Sequence, residues 1–318
     1  MKKVVLIIAL VALSFASNVI YAKPSNAVKI LGPGVVKLAA HFKYGDKCGI
    51  GTSCFIDKQG ELQGWTITPR HIVIAHSINL GNGNTGKVRV YFIDRKTLKI
   101  VGMIPKQKDF SCNKLGNPGC YGHGSSLAYN NKTDKIWIGT REGYYQFNDQ
   151  TMKYEKFLDS RYDPKTEKHK LPYTTSKLTY NQQRNFYWGG ESEADVIFDK
   201  NFKLIKDTAT ASESCARYEE GPGAWEDYIV SNWYRPACGQ PRLRFYKYSN
   251  NKLVKTFEIA KNAIHTEIIE QIVFLDDGTL LLGIPQANSL TKWGAGTAIY
   301  AISAKTLGIG KSTNTKIG

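Results

Sequence analysis

The sequence predicts an all-β fold, a β-propeller of five four-stranded blades closed by an N-terminal strand. Three observations predict it. A strand–turn–strand phrase recurs five times at near-constant spacing, the composition favours strands and turns, and helical periodicity is nearly absent. The 318 residues include 18 Tyr and 29 Gly but only 3 Met, a balance that suits pleated surfaces joined by tight turns. Charged residues make up 22% and hydrophobic residues 42%, which excludes a long disordered chain.

The chain opens with Met1-Lys2-Lys3, then an apolar run from Val4 to Phe15, then Ile20-Tyr21-Ala22. The run is too short to span a bilayer, and a small residue ends the segment. Residues 1–22 therefore read as a secretory signal peptide, and the mature protein is expected to be secreted or periplasmic. Lys2 and Lys3 leave with the peptide, so a formal charge of +16 falls to +14. Residues 23–318 read as a single domain, because no Pro/Gly/Ser-rich linker interrupts the repeat.

Six cysteines agree with an oxidising compartment. They form three near-neighbour couples, Cys48–Cys54, Cys112–Cys120 and Cys215–Cys238, the simplest of the 15 connectivities open to six cysteines. None has CxxC spacing, which favours disulfides over zinc.

The recurring phrase appears at Val88–Gly102, Tyr144–Phe157, Val196–Lys206, Arg244–Phe257 and Ala298–Gly310. The apolar residue after each turn is Leu98, Met152, Phe202, Leu253 and Leu307, at successive spacings of 54, 50, 51 and 54. Ahead of each phrase lies another strand, at Ile72, Ile136, Phe186, Tyr228 and Leu280. Four units have a further strand in front, starting at Gly64, Ser126, Lys177 and Ile268; in the fourth unit Cys215–Glu220 is the candidate. Four short strands per unit at this period describe propeller blades. The last unit lacks a fourth strand after Leu307, and Val35–Phe42 can supply it and close the ring. Six blades, with an incomplete one from Phe55 onward, are the alternative.

Turns between first and second strands, and between third and fourth, are short and share one face. The other face receives the long segments, among them Ser77–Gly86, Lys106–Gly122, Trp233–Pro241 and Pro285–Gly296. Long loops on a rigid scaffold are where binding residues gather. Most surplus charge, including Arg95, Lys96, Lys132 and Arg184, lies on the short turns and outer strands. No basic run with interleaved aromatics marks a nucleic-acid groove.

Candidate site residues divide into two sets. Gln63, His123, Glu267 and Glu270 fall at the starts of innermost strands, near a central channel. His123 with two Glu is a possible metal donor set, against the plainer reading of a polar channel satisfied by water and backbone, and no cofactor is assigned. Tyr121, Trp233, Tyr234 and Trp293 fall in long segments, where rings offer contact area at small entropic cost. No GxSxG, HExxH or P-loop is present.

Gln63-Gly64-Trp65-Thr66-Ile67-Thr68 and Gly122-His123-Gly124-Ser125-Ser126-Leu127-Ala128-Tyr129-Asn130 resemble repeats of helveticin-like bacteriocin proteins and related prophage-borne propellers. There a QG-aliphatic strand is followed one blade later by a GH-x-N-D-x-x-Y-N strand; this chain has Ser125-Ser126 in place of Asn-Asp. Glu267-Ile268-Ile269-Glu270 resembles that family's late Glu-rich strand. The resemblance spans roughly residues 63 to 283 and implies a secreted bactericidal or surface-binding protein. It carries no catalytic residue onto these positions.

The expectation is a monomeric, disulfide-stapled, non-catalytic binding module. It is expected to make peripheral contact with the envelope through an anionic surface glycan or protein, without nucleic acid. A metal-assisted propeller hydrolase acting on an envelope polymer is the alternative.

Overall fold

The computed structural model describes residues 28–43, 62–77, 88–104, 126–140, 143–159, 162–163, 168–169, 177–191, 194–208, 221–233, 241–264, 269–289 and 292–309. Residues 1–22, expected to be a signal peptide, and all six cysteines with their expected pairings lie outside the described residues.

Two N-terminal strands, β1 (Lys29–Leu31) and β2 (Lys37–Lys43), precede the ring. Blade 1 is β3 (Leu62–Ile67), β4 (His71–Ser77), β5 (Val88–Asp94) and β6 (Ile100–Ile104). Blade 2 is β7 (Ser126–Asn130), β8 (Lys135–Thr140), β9 (Gly143–Asn148) and β10 (Lys153–Asp159). A two-stranded ribbon, β11 (Tyr162–Asp163) with β12 (Lys168–His169), comes before blade 3. That blade is β13 (Lys177–Asn181), β14 (Phe186–Glu191), β15 (Ala194–Asp199) and β16 (Leu204–Thr208). Blade 4 is β17 (Gly223–Trp225), β18 (Tyr228–Trp233), β19 (Arg242–Lys247) and β20 (Leu253–Ile259). Blade 5 is β21 (Gln271–Phe274), β22 (Leu280–Ser289), β23 (Lys292–Ile302) and, on the outside, β2.

Five four-stranded antiparallel sheets thus form a five-bladed propeller. The innermost strands touch in a circle, β3 to β7, β13, β17 and β21, and β21 returns to β3. The N-terminal closure is as the sequence indicates: β2 pairs antiparallel with β23, from Lys37 opposite Ala301 to Lys43 opposite Gly296. Pairing this outer strand removes an open edge from the last blade. Beyond that expectation, β1 adds a fifth strand to blade 4, parallel to β20.

Three sequence expectations are corrected. The inner strand of blade 4 is Gly223–Trp225, not Cys215–Glu220; a three-residue strand containing Gly and Ala has too little period-2 pattern to read. Pro285–Gly296 is not a loop, since β22 and β23 stay paired as far as Ser289 opposite Lys292. Leu307 sits in a one-turn helix, α1 (Ala304–Leu307), whose Ser303 cap accepts from the Thr306 N–H and which ends at left-handed Gly308.

Buried apolar side chains form five clusters, one at each blade-to-blade junction. This follows from period-2 alternation: the two faces of each blade pack on the two neighbouring blades. Trp65 and Trp225 on inner strands and Trp188 on β14 are buried in these junctions.

The turns that close the outer hairpins hold a large residue in the left-handed region: Leu98 (φ 54°), Met152 (51°), Phe202 (62°) and, in blade 4, Asn251 (55°). Non-glycine residues adopt this conformation at a cost, so packing must offset it. Met152 and Phe202 do so by entering the junction with the preceding blade. The Met152 Sδ lies against Gly102 of β6, at 2.7 Å from where a Cβ would sit. Phe202 is 2% exposed, stacks on Tyr187 at 4.5 Å and Tyr144 at 4.4 Å, and meets Trp137 at 4.8 Å. In blade 4 the place in the sequence series given to Leu253 belongs instead to Asn251, and Tyr248 fills the junction by stacking on Phe186 at 4.6 Å.

Candidate functional site

The inner strands begin on what we call the upper face and end at the short turns of the lower face. Glu270, just before β21, and Gln63, in β3, occupy adjacent blades at the upper ends, and both are buried. Of the other sequence candidates, Tyr121, His123, Tyr234 and Glu267 lie outside the described residues. Trp233 is the last residue of β18, opposite Arg242, and Trp293 lies in β23, opposite Ala287; their side chains lie outside the description. Both tryptophans therefore stand on paired backbone at the upper ends of neighbouring blades.

Gln271 organises the hub, and sequence reasoning passed over it. Its Oε1 accepts from the backbone N–H groups of Trp65 and Leu127, each at 2.9 Å, and its Nε2 donates to the Leu127 carbonyl at 2.6 Å. The Gln271 carbonyl accepts from the Trp65 indole at 3.1 Å. One side chain thereby joins blades 5, 1 and 2. It crosses β3 at Gly64, where a Cβ would stand 2.7 Å from Ser126 Cα and 3.1 Å from the amide oxygen, so only glycine admits this approach. The ring continues through Ser126, whose Oγ accepts from the Leu178 N–H, and through Gly221, which pairs with Gln271 across blades 4 and 5. At this level hydrogen bonds link blades 4, 5, 1, 2 and 3 in succession. Among the described residues no group of three or more His, Cys, Asp or Glu is placed to hold a metal ion.

Buried cations and polar groups ring the upper ends. His76 pairs with Arg89 across β4 and β5, and Arg244 faces Ser231 across β18 and β19. Burial, with the Arg89 guanidinium nearby, holds His76 down at about 3, so it is neutral in the folded protein. An unfolded chain takes up a proton there near the ordinary histidine value of about 6.5, so stability present above that pH is lost as pH falls toward 3. The melting temperature is expected to drop by several degrees between pH 7 and pH 4, with a shallower slope in His76→Asn. Thermal melts across that range check it.

The lower face carries a second polar network, also missed in the sequence because its members are far apart in the chain. Buried Asp149 accepts from His71 Nδ1 at 2.8 Å, and the Arg70 Nε lies 2.8 Å from its other oxygen, close but poorly directed, an ion pair more than a linear hydrogen bond. Arg70 also pairs with Asp134, which accepts from the Tyr129 hydroxyl at 2.9 Å. Burial and that bond raise the Tyr129 phenol far above its ordinary range. An Asp–His pair invites a general-base reading. The same place in the ring argues for a latch instead: Asn130 Nδ2 donates to the Tyr187 hydroxyl at 2.9 Å, and Asn181 Nδ2 to the Glu226 carbonyl at 2.9 Å. The lower turns of blades 2 and 3 are thus fastened to the next blade, and Asp149 fastens blade 2 to blade 1.

No family model matches the chain, and no curated protein matches it. Solved structures do. The Myxococcus xanthus glutaminyl cyclase superposes with a TM-score of 0.50 at 8% identity, covering 87% of this chain and 97% of that one. A Bacteroides fragilis NCTC 9343 protein described as exported gives 0.46 at 9% identity over 87% and 100% of the two chains. The WD40 domain of Neurospora crassa Pan2 gives 0.41 at 10% identity over 76% and 75%. The cyclase match supports the propeller fold and, at this identity, nothing finer.

Proposed function

We propose that the protein is an exported, non-catalytic binding module that grips an anionic envelope glycan or protein with the upper face of its ring. One observation carries the reading. Past Gly283, the last β22 residue paired with β21, the β22–β23 hairpin continues as a paired arm to Ser289 and Lys292. Trp293 stands on that arm, and Trp233 ends a strand of the neighbouring blade. Aromatic residues on ordered backbone lose little freedom on binding, which favours them as anchors. The basic start and short apolar run support export. A mature charge of +14 favours anionic partners and makes adhesion weaken with salt.

Sedimentation with purified cell walls bearing anionic polymers tests the reading. The protein is expected to co-sediment at low salt, and Trp233→Ala with Trp293→Ala to weaken binding more than tenfold, since an anchor residue contributes about 2 kcal/mol or more. Unchanged binding by the double variant overturns the reading. So does breakdown of the wall polymer that His123→Ala abolishes, which would establish the hydrolase instead.

A further inference from the structure

The five junctions are not equally filled. At the junction of blades 2 and 3, Phe202 sits among Trp137, Tyr144 and Tyr187, with Leu158 packed against the same cluster. Strand register identifies the matching positions between blades 5 and 1. Tyr144 faces Gly139 and Leu158, as Ile299 faces Gly283 and Ala40. Trp137 lies opposite Ala128 on its inner strand, as Leu281 lies opposite Val273. Tyr187 faces Phe198, as Ile72 faces Ile93. Leu98 shares the left-handed turn position of Phe202.

Ile299, Ala40, Leu281, Ile72 and Leu98 are each smaller than their counterparts, and although Val273 replaces Ala128 and Trp65 replaces Leu178, the volume is only partly recovered. Leu98 is 50% exposed where Phe202 is 2% exposed. A cleft of about 600 Å³ remains, floored by Trp65 and walled by Ile67, Leu275 and the aliphatic residues already named. That is the size of a small-molecule site and far more than packed interiors leave empty. Among the described residues its lining includes Arg95 and Lys96 and no carboxylate. Arg95 spends one N–H on the Thr68 carbonyl at 3.2 Å. The adjacent Asp94 carboxylate is engaged by the N–H groups of Lys96 and Thr97 and by the Thr97 hydroxyl.

We propose that the cleft between blades 5 and 1 binds a small amphipathic anion, an acyl chain or comparable apolar body lying against Trp65, Leu281 and Ile299 with its carboxylate at Arg95 and Lys96. The apolar wall supplies the affinity, and the paired cations select charge and orientation. The site is on the lower face, opposite the surface assigned above to the envelope partner, and does not depend on that assignment.

Calorimetric titration of the purified protein with dodecanoate, and with 1-dodecanol as its uncharged counterpart, tests the proposal. One-to-one saturable binding of dodecanoate is expected. Ala40→Trp, which refills the place of Leu158, is expected to weaken both ligands at least tenfold; Ile299→Phe serves the same purpose if the first variant melts early. Arg95→Gln with Lys96→Gln alters two exposed side chains and is expected to weaken dodecanoate at least tenfold while leaving 1-dodecanol within about twofold. Absence of saturable binding overturns the proposal, as does affinity indifferent to cleft filling. Equal loss of both ligands in the neutral variant overturns the assignment of an anion.

Discussion

Gln271→Ala is expected to lower the stability of the protein by about 3–6 kcal/mol, a large share of the 5–15 kcal/mol typical of a folded domain. The substitution leaves two backbone N–H groups and one carbonyl without partners at Trp65 and Leu127, inside a hub that water does not readily reach. Each orphaned buried group costs about 1–3 kcal/mol. The loss is greater than that of a surface amide because one side chain serves three blades, so its removal loosens two junctions together. Urea unfolding followed by tryptophan fluorescence measures it. A midpoint within error of the parent would mean that the hub does not hold the ring.

Phe202→Ala is expected to cost about 3–5 kcal/mol, the range for emptying a buried phenylalanine site. Its ring touches Tyr144, Tyr187 and Trp137 in one close-packed cluster, where relaxation into the emptied space is only partial. The backbone adds to the effect, because the left-handed turn keeps its strain while losing the packing that offsets it. Leu98→Ala supplies the comparison. It occupies the same turn position but faces an open cleft, and its loss is expected to stay below about 1 kcal/mol, as for exposed positions generally. Comparable losses in the two variants would contradict the unequal filling of the junctions. Thermal and urea unfolding of both proteins decide the matter.

Much of the ring was legible because propeller strands alternate and turn residues recur. The spacing from Leu98 to Met152 to Phe202 located blades that the structure contains, and the missing last strand pointed to the N-terminal one. Blade 4 was harder, since Gly223-Ala224-Trp225 offers one large residue in three, and Asn251 took a place that hydrophobicity assigned to Leu253. Site chemistry was less legible for a different reason. Gln271 matters through its reach past Gly64 to a strand 144 residues away, and Asp149 through a histidine 78 residues away. No local pattern encodes such contacts. The cleft was hidden in the same way: each of its small residues is unremarkable alone, and only register aligns Ala40 with Leu158 and Ile299 with Tyr144.

The clasp made by β1 and β2 sets an order of events during synthesis. These strands are the first described elements to emerge, yet their partners β20 and β23 belong to the last two blades made. The ring cannot close while the chain is still being made. Blades 1 to 3 must wait as an open arc, and the cleft beside β2 takes shape only at the final step. Contacts of such long sequence separation form slowly. The clasp therefore makes ring closure a late event, one that waits for nearly the whole chain.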